Sequence, residues 1–234
     1  MRLTYFLPIA LTAALTAAMA AVAQTPPPLF DGAEGGSERT PDTALGRTVA
    51  SGGAQKGGVG MKCMACHGLD DAGAGLGDMP GLAGLPADYL AEQLEAFMSG
   101  ARFSPIMVPI ATQLTEEERQ AVADYYASVA PKLSTFEQSA PTDLVQQGGA
   151  LAATGSDTVT ACSQCHGGGD TSGAAIPRLN GQSAQYIADQ LVAWREGDRA
   201  NGPLGVMEQI AKSLTPDEIR AVALYYQQTP PDAQ

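Results

Sequence analysis

Cys63-Met64-Ala65-Cys66-His67 recurs 99 residues later as Cys162-Ser163-Gln164-Cys165-His166, and these two pentads hold all four cysteines and both histidines of the 234-residue chain. Chemistry that needs a thiol or an imidazole is therefore confined to them. The pentads are also the centres of a longer repeat. Met79-Pro80-Gly81-Leu82-Ala83-Gly84 is answered by Ile176-Pro177-Arg178-Leu179-Asn180-Gly181, and Tyr89-Leu90-Ala91-Glu92-Gln93-Leu94 by Tyr186-Ile187-Ala188-Asp189-Gln190-Leu191. Gly100-Ala101-Arg102 is answered by Gly197-Asp198-Arg199, and Leu114-Thr115 through Tyr125-Tyr126 by Leu214-Thr215 through Tyr225-Tyr226. The offset is 99 at the cysteines, 97 at the prolines and 100 at the tyrosines, so only loop-sized insertions separate the copies. A fixed period of this kind predicts two homologous domains, each about 90 residues long.

Within each copy the periodicity is helical. Tyr89, Leu90, Leu94 and Phe97 share one face of a predicted helix over 86–99, which Gly100 is placed to stop. Thr115 followed by Glu118 has the form of a capping box, and Val122, Tyr125, Tyr126 and Val129 continue the apolar face of a helix over 116–130 until Pro131. The stretch 46–61 is rich in glycine, which weakens any expectation of helix there. The expected organisation is a signal segment over 1–23, a flexible leader over 24–45, a first domain over 46–131, a linker over 132–142 and a second domain over 143–230.

The signal segment is read from Arg2, the apolar run Leu3 to Ala20, and Ala21-Val22-Ala23 before Gln24, which has the small-x-small form of a cleavage site. A retained anchor is the rival reading, and the alanine-rich end of the run favours removal. Export to the periplasm follows, with peripheral association with a membrane left open. The net charge of −12, from 25 acidic against 13 basic residues, excludes a nucleic-acid partner, whose phosphates require clustered Lys and Arg. The acidity serves solubility or steers the chain to a basic partner surface.

Cys-x-x-Cys-His is the attachment signal of c-type haem: two thiols add to the haem vinyl groups and the adjacent imidazole becomes an axial iron ligand. One helical turn sets both sulfurs beneath one edge of the macrocycle. Two haem c groups are therefore expected, held by Cys63 and Cys66 and by Cys162 and Cys165, with His67 and His166 on the irons. A thioredoxin-like redox motif would need a βαβ pattern that is absent here. A zinc site would need four ligands where each segment offers three, and structural disulfides leave the histidines unexplained.

With both histidines committed and no cysteine to spare, methionine is the candidate sixth ligand. The first copy offers Met61, Met64, Met79, Met98 and Met107, whereas the second offers only Met207. Met107 stands seven residues before Leu114 and Met207 seven before Leu214, so these two are assigned. Met98 is the runner-up, but its counterpart is Arg195. Pro80 and Pro177 are read either as carbonyl acceptors for the proximal imidazole N–H or as ordinary turn prolines. Arg102 and Arg199 are read as partners of haem propionates or as solvated charges at a helix end.

The doubled CxxCHG, the Pro-x-Leu-x-Gly-(x)4-Tyr-(x)3-Gln-Leu segments, the Gly-x-Arg loop leading to methionine and the Leu-Thr-(x)9-Tyr-Tyr together resemble the dihaem cytochrome c4 family. The resemblance implies an all-α fold of two tandem class I cytochrome c domains, each wrapped around one haem in His and Met coordination, with the haem edges facing. It implies the carbonyl role for Pro80 and Pro177, and a periplasmic electron carrier. The sequence departs from the family in its glycine-heavy segment before Cys63 and in acidity spread over both halves. It also has a distal loop three residues shorter in the first copy than in the second.

The expected function is single-electron shuttling between respiratory partners. A quinol-cytochrome c reductase or a dehydrogenase is the donor and a haem-copper oxidase the acceptor. With both axial positions filled, no iron is open to a substrate, which argues against a dihaem peroxidase. A thiosulfate-oxidising enzyme would need a further cysteine ligand. A haem subunit bound permanently to a dehydrogenase is the remaining alternative.

Overall fold

The computed structural model describes residues 40–53, 62–68, 79–131, 140–167 and 176–231. The expected signal segment, the leader up to residue 39, Met61 and the linker over 132–139 lie outside the described residues. Among the described residues the regular structure is helical, with one isolated antiparallel bridge between Arg102 and Arg199. The first set of helices is α1 (Thr43–Ala50), α2 (Cys63–His67), α3 (Ala87–Ser99), α4 (Met107–Ala111) and α5 (Glu116–Ser128). It is followed in the same order by α6 (Thr142–Thr154), α7 (Ser163–His166), α8 (Ala184–Glu196), α9 (Val206–Ser213) and α10 (Pro216–Gln228). None of these helices is long and apolar enough to cross a membrane.

Each half has its own core. Leu85, Tyr89, Leu90, Leu114, Val122, Tyr125 and Tyr126 pack with Val49 and Ala50 in the first. In the second, Leu151, Val159, Ile187, Leu191, Leu214, Ile219, Val222 and Tyr226 form the equivalent cluster. The adjacent tyrosines meet edge to face with nearly the same geometry in both, at centroid separations of 5.2 Å for Tyr125 and Tyr126 and 5.1 Å for Tyr225 and Tyr226. Such edge contacts add to the area buried.

The capping boxes form in both halves. Thr115 Oγ1 accepts from Glu118 N–H at 3.2 Å while Glu118 Oε2 accepts from Thr115 N–H at 2.8 Å, and Thr215 and Glu218 repeat the arrangement. Two otherwise unpaired amides at each helix start are thereby satisfied. Gly100 ends α3 in the left-handed conformation, at φ 82°.

Helix α1 begins at Thr43, inside the expected flexible leader, and runs to Ala50 in the glycine-rich stretch, so residues 43–45 are helical against expectation, and the reason is packing. A Cβ built on Gly46 would lie 2.0 Å from the carbonyl oxygen of Ala121 on α5, and one on Gly148 of α6 would lie 2.1 Å from that of Ala221 on α10. Glycine lets the first and last helices of each half cross with backbones touching. The contact outweighs its lower helix propensity of about 1 kcal/mol. A second glycine pair ties the segment after each proline to the last helix. Gly84 at φ 67° donates to the Tyr126 carbonyl, and Gly181 at φ 74° donates to that of Tyr226.

The longer distal loop of the second half forms a 3-10 turn, Pro203–Gly205, ahead of α9, with Leu204 left-handed at φ 57° and 94% exposed. The first half enters α4 directly, so the three-residue difference is absorbed there. Gly46→Ala and Gly148→Ala are each expected to destabilise by about 1–3 kcal/mol through overpacking. The check is a lowered urea midpoint, followed by circular dichroism on the haem-loaded protein.

Candidate haem sites and the contact between them

In both halves the pentad is one short helical turn. His67 closes α2 and His166 closes α7, with Cys162 at the N-cap of the latter. No disulfide joins any of the four cysteines. Cys63 and Cys162 are half-buried against the two cores, whereas Cys66 and Cys165 are exposed. Burial raises the pKa of Cys63 and of Cys162, opposite to what a nucleophilic redox thiol requires. Among the described residues no three or more His, Cys, Asp and Glu side chains converge as metal ligands.

The histidine rings are oriented by backbone. Nδ1 of His67 lies 2.8 Å from the Pro80 carbonyl oxygen, and Nδ1 of His166 lies 2.7 Å from that of Pro177. A carbonyl can only accept, so Nδ1 carries the proton. Burial, with a smaller opposing effect of the carbonyl and further repulsion from Arg102 or Arg199, holds both imidazoles below their ordinary pKa. A neutral ring protonated at Nδ1 leaves the lone pair on Nε2, which is the form that ligates a metal.

The candidate distal residues fall at matching places. Met107 opens α4, where its N–H donates to Ser104 Oγ at 3.1 Å, and Met207 is the second residue of α9 and packs against the second core. Met98 lies near the end of α3 and is 36% exposed. Met64 packs on the first core beside Cys63 and accepts a hydrogen bond from Ser51.

Arg102 and Arg199 are not solvated charges: they are 7% and 3% exposed and lie where the two halves meet. Around their bridge, Phe103 N–H donates to the Asp198 carbonyl at 2.9 Å and Ala200 N–H to that of Ala101 at 2.8 Å. Each guanidinium then reaches into the other half. Arg102 donates to Tyr186 Oη at 2.8 Å and Gln190 Oε1 at 2.6 Å, while Arg199 donates to Tyr89 Oη at 3.3 Å and Gln93 Oε1 at 2.8 Å. Arg102 also uses Gln93 and Arg199 also uses Gln190, so each glutamine oxygen serves both cations. The guanidiniums lie over aromatic faces, Arg102 at 4.5 Å from the Phe97 centroid and Arg199 at 3.8 Å from that of Trp194.

Among the described residues every hydrogen-bond acceptor of these two cations is neutral. Trp194 Nε1 is buried and has no acceptor among the described residues. Buried cations and an orphaned donor are the surroundings that suit an anionic group, and the carboxylates of a haem fit them. The repeated Tyr-(x)3-Gln had signalled these residues in the sequence as helix positions; their use as a clamp between the halves carries no local pattern.

The fold and the paired sites define a c-type cytochrome. Residues 54–130 and 152–230 both match the cytochrome c family. The chain is 43% identical over 168 residues to the thiosulfate dehydrogenase electron acceptor of Stutzerimonas stutzeri (strain A1501), covering 71% of this chain and 78% of that protein. It is 34% identical over 202 residues to cytochrome c4 of Thiocapsa roseopersicina, covering 84% and 97%. Among solved structures it is similar to thiosulfate dehydrogenase (TsdBA) from Marichromatium purpuratum, at TM-score 0.71 and 39% identity. That match covers 80% of this chain and 40% of the other. The chain belongs to the dihaem cytochrome c4 family: two tandem cytochrome c domains, two covalently bound haem c groups, and a role in electron transfer.

Gln93→Leu removes the acceptor shared by Arg102, Arg199 and Asn201, the last donating at 2.9 Å. It is expected to lower stability by about 1–3 kcal/mol for the donors left buried. A decrease in the urea midpoint of the full chain checks it.

Proposed function

We propose that this chain is a periplasmic electron carrier that accepts electrons from a thiosulfate-oxidising dehydrogenase and passes them toward a haem-copper terminal oxidase. The observation that supports it most is the duplicated histidine. In both domains Nδ1–H is held by a proline carbonyl, which directs the lone pair of the neutral ring to Nε2, the atom that would ligate an iron. Cys63 and Cys66, and Cys162 and Cys165, hold the two haems, with His67 and Met107 on one iron and His166 and Met207 on the other. Each haem, when bound, supplies reversible one-electron chemistry at its iron.

The chain's own residues do the rest. With His67 and Met107, and His166 and Met207, as its ligands, each iron would have no coordination site left for a substrate and would supply electron transfer alone. The buried Arg102 and Arg199, whose hydrogen-bond partners among the described residues are neutral, serve as counter-ions to haem propionates. Pro80 and Pro177 fix the tautomer of the proximal rings. The donor is inferred from the likeness to the thiosulfate dehydrogenase electron acceptor. The net charge of −12 suits docking to a basic surface.

A second reading, a haem subunit held permanently by a dehydrogenase, is favoured by the match to part of the Marichromatium purpuratum chain. Native purification separates the two: a carrier elutes alone, a subunit with its enzyme.

Mixing the oxidised protein with thiosulfate and a purified thiosulfate dehydrogenase is expected to reduce both haems, faster at low salt, while thiosulfate alone reduces neither. Reduction by a quinol-cytochrome c reductase but not by the dehydrogenase would redirect the donor. Met107→Ala and Met207→Ala are each expected to lose one methionine-to-ferric-iron charge-transfer band; spectra unchanged in both would reject the ligand assignment.

A further inference from the structure

The peptide group between Pro80 and Gly81 is engaged at both ends. Its carbonyl accepts from Nδ1–H of His67 at 2.8 Å, and its N–H donates to Oε1 of Gln182 at 3.0 Å. Gln182 belongs to the second domain, 101 residues further along the chain. Its amide has one satisfactory orientation: Oε1 accepts from the N–H groups of Gly81 and Ser183, and Nε2 donates to the Gly81 carbonyl at 3.1 Å. A flipped amide would set donor against donor. The side chain is buried, so water does not compete for these bonds.

Among the described residues the relay is one-sided. The second domain repeats the histidine–proline contact at 2.7 Å, but the position that answers Gln182 in the first domain is Leu85, a buried hydrocarbon with nothing to accept a proton.

We propose that Gln182 is a positioning residue for the first haem site, acting across the domain contact to lower that site's midpoint potential. The inference rests on His67 being the proximal ligand, as proposed above. Hydrogen bonds in series polarise one another, so an acceptor on Gly81 N–H makes the Pro80 oxygen a stronger acceptor for Nδ1–H. A stronger bond there makes the imidazole a more basic ligand, which favours the ferric state. The bond exists only while the domains are packed, so the first midpoint reports on their contact.

The test uses the full-length dihaem protein, with a redox titration that follows the haem methyl resonances of each site. Gln182→Met is expected to raise the ferrous-to-ferric ratio of the first site about threefold at fixed ambient potential. That is about 28 mV for a one-electron couple at 59 mV per tenfold change. The second site stays in place. In the ferrous ¹⁵N-labelled protein the His67 Nδ1–H resonance moves to lower frequency and that of His166 does not. Gln182→Glu keeps the acceptor on the Gly81 N–H but loses the Nε2 donor to the Gly81 carbonyl. As a carboxylate it lowers the first midpoint by more than the second; protonated, with its O–H donating to that carbonyl, it leaves the first midpoint in place.

An unchanged first midpoint in Gln182→Met, equal movement of both sites, or the same sign in the two variants overturns the proposal. The ligand assignment is read separately, from both methionine charge-transfer bands and from a haem ring-current shift on His67 Nδ1–H in the unmutated protein. Absence of that shift removes His67 as ligand and the relay with it.

Discussion

Two like charges are buried side by side where the halves of this protein meet, and the arrangement around them depends on making that tolerable. A guanidinium taken out of water loses several kcal/mol of solvation unless its donors are satisfied. Arg102 and Arg199 meet the requirement by exchange: each takes a tyrosine hydroxyl and a glutamine oxygen from the opposite domain and rests on an aromatic ring of its own. The bridge between their backbones places them, and Tyr89 and Gln93 of α3 and Tyr186 and Gln190 of α8 converge on them. A haem carboxylate in this setting would offset two positive charges whose acceptors among the described residues are all neutral.

The duplicated sites are alike in what sets coordination and unlike in what surrounds it. Cysteine spacing, histidine tautomer, proline carbonyl, capping box and tyrosine pair all repeat to within tenths of an ångström where distances are comparable. The departures lie in the distal loop, where Pro203–Gly205 adds a turn, and in the residue two before α8, where Gln182 stands opposite Leu85. Near-identical sites with different surroundings would give one chain two distinct potentials, because hydrogen bonding and burial around each haem set its value.

Much of this was legible before any coordinates. Periodic apolar positions and Thr115 with Glu118 located α3 and α5, because those signals are local and strong. The pentads and the repeat announced two haem c groups for the same reason. Helix α1 was obscured because Gly46 reads as a helix breaker when its neighbour across the crossing is unknown; only the 2.0 Å approach to Ala121 explains it. The domain contact was obscured for a different reason. Gln93, Gln190 and Gln182 are ordinary polar residues in sequence, and their meaning comes from partners about 90 to 110 positions away. Arg102 and Arg199 were recognisable as a repeated pair, but not as each other's neighbours.

The Gly81 clasp changes what kind of unit this chain is. Each half has a complete hydrophobic centre and looks excisable, as beads on a string would be. Yet a bead cut at the connector would hand Gly81, Arg102 and their mates to water, and would be a different electrochemical object from the one in the intact protein. The chain is modular in its packing and indivisible in its wiring.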